Sequence, residues 1–163
     1  MQQGERKTGN FDEYKSQTVF AQEFLQTLDI VGEAAILDRK LRILITDDSK
    51  LLRKKLRTEL EKLDCEVLEA ANGKESVEIV LQQMPDCVFL DIVMPEVGGI
   101  EALQVIKEVS PEIPVVMLSS AGSPQKLMTT LKMGAMEFIQ KPYKSEQIQK
   151  VVETIRKKVG LDG

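Results

Sequence analysis

From residue 41 onward, short apolar runs alternate with longer stretches in which apolar residues recur every three or four positions. Such runs, bounded by turn residues, predict buried strands, and the three-to-four spacing predicts amphipathic helices. Five strand–helix pairs with short linkers favour right-handed crossovers and a parallel sheet covered on both faces. We therefore predict a doubly wound α/β domain over residues 41–163, with strands at 41–46, 66–70, 86–90, 113–118 and 136–140.

The predicted helices have recognisable ends. Ser49 is a candidate N-cap for the first helix, and Pro124 lies at a first-turn position of the fourth helix, where proline is tolerated. Gly134 and Gly160 are suited to close the fourth and fifth helices. The apolar residues expected to share a core-facing stripe are Leu52, Leu56, Leu60 and Leu63 in the first helix, Val77, Val80 and Leu81 in the second, Leu127, Met128 and Leu131 in the fourth, and Ile148, Val151, Val152, Ile155 and Val159 in the fifth.

Polar residues that can carry chemistry follow four of the five predicted strands. Asp47 and Asp48 follow the first strand, Asp91 the third, Ser119 the fourth and Lys141 the fifth. The carboxyl ends of parallel strands share one edge of a sheet, so we expect these side chains to converge there. Each residue alone could be a helix cap or a turn residue. Their joint position at four strand ends favours a functional site.

The residue types at this edge indicate phosphoryl transfer. Three carboxylates in a partly buried site repel one another strongly unless a cation lies among them. A ligand set made only of oxygen favours Mg²⁺, or Mn²⁺, over zinc. A lysine adds a positive charge for an anionic group, and a serine adds a hydrogen-bond donor, which together suit the negative charge of a phosphoryl group.

Composition excludes several classes of function. The chain contains no histidine, which rules out histidine-based catalysis, a histidine-ligated metal site and a phosphohistidine on this chain. A net charge of −4 without a Lys/Arg-rich tract does not indicate direct nucleic-acid binding. No run approaches the roughly 18 apolar residues of a membrane span, and no signal peptide is recognisable, so we expect a cytoplasmic protein. Cys65 and Cys87 lie in apolar contexts typical of buried thiols.

Residues 1–40 form an extension in front of the alternating pattern. Within residues 11–40, apolar residues recur at helical spacing: Phe20, Phe24, Leu28, Val31 and Ala35. Two interpretations stay open. The helix either packs on its own domain or leads into it as a linker, or it serves as a dimerisation or docking helix, since two phenylalanines on one stripe need a cover.

Four motifs of the domain resemble the receiver domain of two-component response regulators. They are Ile45-Thr46-Asp47-Asp48-Ser49, Asp91-Ile92-Val93-Met94-Pro95 with Gly99, Met117-Leu118-Ser119-Ser120-Ala121, and Gly134-Ala135-Met136-Glu137-Phe138-Ile139-Gln140-Lys141-Pro142. They occur in the family's order and spacing, and the resemblance covers about residues 41–160. It implies a flavodoxin-like sheet of order 2-1-3-4-5, similar to a chemotaxis regulator, with an N-terminal helical extension.

The resemblance implies roles in phosphoryl transfer. Asp91 is expected to be the phosphoacceptor for a phosphohistidine on a sensor histidine kinase. Lys141 is expected to pair with Asp91 before transfer and with the phosphoryl oxygens afterwards, and its bond to Pro142 is expected to be cis. Ser119 hydrogen-bonds the phosphoryl group, and Phe138 is the aromatic switch residue that turns inward as Ser119 moves.

The resemblance also implies a metal site. Asp48, Asp91 and the backbone carbonyl of Val93 are expected to bind Mg²⁺ directly, and Asp47 through water. Thr46 departs from the family pattern, which has an apolar residue before the acidic pair, and we expect this change to matter little.

The implied function is a phosphorylation-controlled switch. Phosphorylation would remodel the face made by the fourth helix, fifth strand and fifth helix, which binds a downstream protein. The chain would assist only its own phosphorylation and dephosphorylation. Homodimers could form through residues 11–40 or through the same face. Alternatives are a phosphorelay intermediate that passes the phosphoryl group on, and the receiver part of a longer regulator.

Two other classes of protein fit the residues less well. A Mg²⁺-dependent phosphatase with an aspartyl-phosphate needs a second acid two residues after its nucleophile, where this chain has Val93. A flavin-binding protein of the same topology needs a hydroxyl- and glycine-rich phosphate loop after the first strand, where Asp47 and Asp48 would repel the phosphate.

Overall fold

The computed structural model describes residues 39–120 and 124–161. Within these ranges, strands and helices alternate along the chain. The strands are β1 (Leu41–Thr46), β2 (Cys65–Ala70), β3 (Cys87–Asp91), β4 (Val115–Ser119) and β5 (Glu137–Gln140). The helices are α1 (Lys50–Lys62), α2 (Gly73–Gln83), α3 (Gly99–Val109), α4 (Pro124–Lys132) and α5 (Ser145–Val159).

The five strands form one parallel sheet in the order β2-β1-β3-β4-β5. The chain enters the sheet at β1, moves to the edge at β2, and then crosses back past β1 to β3. Right-handed crossovers in both directions place helices on both faces of the sheet. The predicted flavodoxin-like, doubly wound fold is confirmed.

Alternate side chains of each strand enter two separate apolar layers. In β1, Ile43 and Ile45 join the layer covered by α1 and α5, whereas Leu44 joins the layer covered by α2 and α3. In β3, Phe89 joins the layer covered by α1 and α5, and Leu90 joins the layer covered by α2 and α3. Every residue of β3 and β4 is buried, which explains why these central strands are nearly continuous apolar runs in the sequence.

Local sequence explains where the first two helices begin. The hydroxyl of Ser49 accepts a hydrogen bond from the N–H of Leu52, so the predicted N-cap of α1 is confirmed. Asn72 caps α2, because its side-chain oxygen accepts a hydrogen bond from the N–H of Glu75. The predicted strand limits differ from the observed ones by at most two residues.

Some apolar residues expected in the core are exposed. Met128 and Leu131 of α4 are 54% and 40% exposed, and Leu81 of α2 is 58% exposed, so their predicted positions are wrong. In α4 the fully buried residue is Thr130, whose hydroxyl donates to the carbonyl of Leu127. The three-to-four spacing in this short helix is compatible with more than one face, and packing against the sheet decides which face is buried.

The two cysteines are buried free thiols, as predicted. Burial raises the pKa of Cys65 to about 11 and holds the pKa of Cys87 well above its ordinary value. Both thiols are therefore expected to be protonated at neutral pH. Cys87 packs as a small apolar group, whereas Sγ of Cys65 also lies 3.8 Å from the carbonyl of Leu63 and 3.9 Å from Nη2 of Arg156.

The predicted N-terminal helix, including Phe20 and Phe24, lies outside the described residues. Among the residues that the structure describes, no helix combines the length and apolar character that crossing a membrane requires.

The end of β1 carries a buried polar pair. Thr46 and Ser76 are both fully buried, and the hydroxyl of Thr46 donates to the hydroxyl oxygen of Ser76 across 2.9 Å. The departure of Thr46 from the family pattern is thus matched by a polar partner on α2. Each hydroxyl would be costly to bury alone.

This pair predicts a non-additive effect on stability. Thr46→Val should lower the free energy of unfolding by about 1 kcal/mol, because it leaves the Ser76 hydroxyl without this partner. Combining Thr46→Val with Ser76→Ala removes both polar groups and should restore most of the loss. Urea unfolding of both single variants and the double variant measures the coupling. Purely additive losses would contradict a shared hydrogen bond.

Candidate functional site

The polar residues at the strand ends lie together at the carboxyl edge of the sheet. Asp47 follows β1, Asp91 ends β3, Ser119 ends β4 and Lys141 follows β5. These four strands are consecutive neighbours in the sheet, so parallel pairing brings the four positions side by side. Asp47, Asp91 and Ser119 are 2%, 6% and 4% exposed. The fold therefore collects polar groups in a nearly buried position next to a lysine.

Asp47, Asp48 and Asp91 form an acidic cluster at this edge. One carboxylate oxygen from each residue lies within 4.8 Å of the other two. Asp47 and Asp91 are buried, whereas Asp48 is exposed. Oxygen ligands are those that Mg²⁺ and Mn²⁺ prefer, and a divalent cation among them would relieve the repulsion between the three charges. The donor set fits such an ion.

The ammonium group of Lys141 lies between the two buried acids. Its Nζ donates to Oδ2 of Asp47 at 2.6 Å and to Oδ2 of Asp91 at 3.2 Å. The resemblance implied the pairing with Asp91, but the shorter contact, with Asp47, was not foreseen. The bond between Lys141 and Pro142 is cis, as expected. One cation thus offsets part of the charge of two buried carboxylates.

The other oxygens of these acids accept hydrogen bonds from the backbone. Oδ1 of Asp47 accepts from the N–H of Ser49 at 2.9 Å, and Oδ1 of Asp91 accepts from the N–H of Val93 at 3.4 Å. Burial raises the pKa of the Asp91 carboxyl, the charge of Lys141 opposes this shift, and the charge of Asp47 adds to it. The ionised form of Asp91 is therefore disfavoured unless further positive charge approaches it.

The loop after β3 folds back against Asp91. The N–H of Gly99 donates to the carbonyl of Ile92 at 2.9 Å. A Cβ atom on Gly99 would lie 2.0 Å from the carbonyl oxygen of Asp91, so any larger residue would force the loop away from the site. The motif around Gly99 does not reveal this contact, because the contact depends on the closure of the loop.

Ser119 and Phe138 lie on neighbouring strands. Ser119 pairs with Gln140, and its carbonyl accepts a hydrogen bond from the N–H of Lys141 at 2.7 Å, which ties the lysine to the end of β4. Phe138 pairs with Met117 and packs, partly buried, against the layer under α2 and α3. A switch role for Phe138 would require this ring to move within that layer.

Sequence reasoning missed Arg53, which lies in the first half of α1. Its Nη1 donates to the carbonyl of Asp47 at 2.6 Å, and its Nε donates to Oε1 of Glu69 at 3.2 Å. The one available signal was its position four residues after Ser49, on the same helical face. That spacing does not identify either contact.

A groove of about 860 Å³ opens beside Lys141, between α1 and the segment that joins β5 to α5. Leu51 and Leu52 are 63% and 36% exposed there, so the prediction that Leu52 faces the core is wrong. Burial raises the pKa of Tyr143, another lining residue, to about 12. The lining combines apolar side chains with charged ones, and it includes Leu51, Leu52, Lys54, Lys55, Glu59, Pro142 and Tyr143.

The family model for the response regulator receiver domain matches residues 43–153. Chemotaxis protein CheY of Thermotoga maritima is 38% identical over 117 residues, which cover 71% of this chain and 95% of that protein. The protein-glutamate methylesterase/protein-glutamine glutaminase of Archaeoglobus fulgidus is 44% identical over 105 residues, which cover 63% of this chain and 30% of that protein.

Solved structures agree with the sequence comparisons. The chemotaxis protein CheY4 of Vibrio cholerae has a TM-score of 0.68 against this chain at 26% identity. The match covers 72% of this chain and 99% of that one.

The raised pKa of Asp91 predicts how stability depends on pH. A raised pKa means that the folded state binds the proton more tightly than the unfolded state. This contribution to stability is present at low pH and is lost as the pH rises through the folded-state pKa. In the metal-free protein, Asp91→Asn should therefore raise the melting temperature at neutral pH, and this gain should shrink toward about pH 4.

Thermal unfolding across this pH range tests the prediction. Asp64→Asn is the matched control, because it removes the same charge at a side chain that is 77% exposed and pairs with Lys40 at the surface. The prediction would be contradicted if the gain in melting temperature of Asp91→Asn grew on acidification. It would also be contradicted if Asp64→Asn gave an equal gain, since burial of the charged carboxylate would then not be specific to Asp91.

Proposed function

Because this chain belongs to the response regulator receiver family, we propose that it accepts a phosphoryl group on Asp91 from a sensor histidine kinase and thereby switches a protein partner. The observation that carries the proposal is the environment of Asp91. This buried carboxylate contacts Lys141 at 3.2 Å and lies within 4.8 Å of carboxylate oxygens of Asp47 and Asp48. A cation, a metal-binding donor set and a nucleophile are the components of a phosphoryl-transfer site.

In the proposed reaction, a carboxylate oxygen of Asp91 attacks the phosphorus of a phosphohistidine. The new P–O bond gives an acyl phosphate as the P–N bond breaks, and the imidazole nitrogen keeps the bonding electron pair. Asp48, Asp91 and the carbonyl of Val93 would hold Mg²⁺, which supplies positive charge for the phosphoryl oxygens. Asp47 would contribute through water, in keeping with hydrogen bonds that already engage both its carboxylate oxygens.

Lys141 would stay next to the negative charge as that charge shifts from the Asp91 carboxylate to the phosphoryl group. Its 2.6 Å contact with Asp47 anchors the ammonium group, so the longer contact with Asp91 can be exchanged for a phosphoryl oxygen. Ser119 would donate its hydroxyl to the same group from the end of β4. The phosphoryl group comes from the phosphohistidine, and the chain would modify only its own Asp91, since receiver domains are generally not enzymes.

The proposed output is a change in the face formed by α4, β5 and α5. Movement of Ser119 toward the phosphoryl group would let Phe138 turn inward and repack β5. Met128 and Leu131 of α4 already expose apolar surface, which a downstream protein could cover. Because the donor kinase depends on ATP, the proposed compartment is the cytoplasm.

The test of this function is chemical phosphorylation followed by intact mass spectrometry. Acetyl phosphate with Mg²⁺ should add one phosphoryl group to the wild-type chain. Asp91→Asn should abolish the adduct, because no carboxylate remains to attack phosphorus. Asp64→Asn, the exposed control, should be labelled like the wild type. Labelling that persists in Asp91→Asn would refute Asp91 as the phosphoacceptor, and labelling that does not require a divalent cation would refute the metal-dependent mechanism.

The groove beside Lys141 supports a docking position for the phosphodonor protein. A phosphohistidine must reach Asp91 from outside, and this groove opens at the adjacent lysine. Its exposed leucines suit an apolar partner surface, and Lys54 and Lys55 suit acidic residues around it. We expect the donor surface of the kinase to carry apolar residues beside its histidine.

Substitution in this groove should separate docking from chemistry. Leu51→Glu places a charge among the apolar lining residues and should slow phosphotransfer from the histidine kinase about tenfold or more, whereas labelling by acetyl phosphate should be unchanged. Leu81→Glu is the control, since this leucine is also exposed but lies on α2. Profiling the purified histidine kinases of the source organism against the three proteins measures the effect. Equal transfer to all three would argue against this docking surface.

A further inference from the structure

The three acids of the cluster are held in different ways. The side chains of Asp47 and Asp91 are fixed by Lys141 and by backbone N–H groups. Asp48 is exposed, and no hydrogen bond or ion pair joins its side chain to another described residue. The position of the Asp48 carboxylate therefore depends on the backbone, and above all on the orientation of the peptide that joins it to Asp47.

Arg53 fixes that peptide. Its Nη1 donates to the carbonyl oxygen of Asp47 at 2.6 Å, a charge-assisted hydrogen bond in a side chain that is only 14% exposed. Rotation of this peptide would break the bond and turn the Asp48 side chain away from Asp91. The backbone on the N-terminal side of Asp47 is fixed as well, because the N–H of Asp47 donates to the carbonyl of Ala70.

The guanidinium group is itself held in place. Glu69, in β2, accepts from Nε of Arg53 through Oε1 and from Nη1 of Arg57 through Oε2. Arg57 also contacts Glu61 one turn further along α1. The planar fork of Arg53 can bond Glu69 and the carbonyl of Asp47 at once, which the single ammonium of a lysine would do less well.

We propose that Arg53, held by Glu69, is a positioning residue for the acidic cluster and sets the affinity of the cluster for Mg²⁺ by fixing the peptide between Asp47 and Asp48. The inference rests on the proposed metal-dependent function. Arg53 acts through the backbone and not as a ligand, in the way that outer-shell hydrogen bonds orient metal ligands.

The direction in which the affinity for Mg²⁺ changes when Arg53 is replaced distinguishes a positioning role from charge repulsion alone. A positive charge near the cluster repels a divalent cation, so its removal alone would tighten Mg²⁺ binding. Loss of positioning instead weakens binding. Arg53→Met should therefore raise the Kd for Mg²⁺ about tenfold, despite removing a repulsive charge. Arg53→Lys keeps the charge but not the fork and should give a smaller loss in the same direction.

Isothermal titration of the metal-free, full chain with Mg²⁺ alone tests the inference, with melting temperatures measured in parallel. Arg57→Met is the matched control, because it removes the same charge from the same helix and also contacts Glu69, but does not contact Asp47. It should bind Mg²⁺ as tightly as the wild type, or slightly more tightly. If Arg53→Met does not fold, Arg53→Lys supplies the comparison at constant charge.

Two outcomes would overturn the inference, and they are distinguishable. If the wild type binds Mg²⁺ and both Arg53 variants bind it equally or more tightly, Arg53 is only part of a surface ion-pair network and the proposed function stands. If the wild type does not bind Mg²⁺ at all, the proposed function fails and the inference fails with it.

Discussion

The ammonium of Lys141, held between Asp47 and Asp91, is the interaction on which the rest of the site depends. Two nearly buried carboxylates at the end of neighbouring strands would repel each other strongly without a cation. The lysine only partly compensates, since the pKa of Asp91 is still raised. Burial is the main cause of that shift, so a divalent cation bound among the acids would favour the ionised form of Asp91.

This arrangement follows from the topology of the sheet. The order β2-β1-β3-β4-β5 makes β1, β3, β4 and β5 neighbours, so residues distant in sequence meet at one edge. The apolar layers on both faces hold the strands in register and leave the polar groups at the strand ends. Residues near the starts of two helices add further contacts to the strand ends. Gly99, the first residue of α3, lies against the backbone of Asp91, and Arg53 of α1 donates to the carbonyl of Asp47.

Much of the fold was accessible from the sequence because it depends on local periodicity and on handedness. The strands were predicted to within two residues, and Ser49 was recognised as a cap. The errors share one cause. Met128, Leu131 and Leu52 repeat at helical spacing, yet they are exposed, since spacing defines a stripe without saying whether a neighbouring element covers it.

The sequence by itself determined which residues occur at the strand ends, and hence the family and the chemistry that these side chains favour. Only the tertiary structure decided how they are held. The shorter contact of Lys141 with Asp47, the hydroxyl pair of Thr46 and Ser76, and the hold of Arg53 on the acidic loop all join residues that are far apart or unremarkable in sequence. Periodicity and propensity act over one or two turns of chain, whereas these contacts arise from distances set by the packing of whole strands and helices.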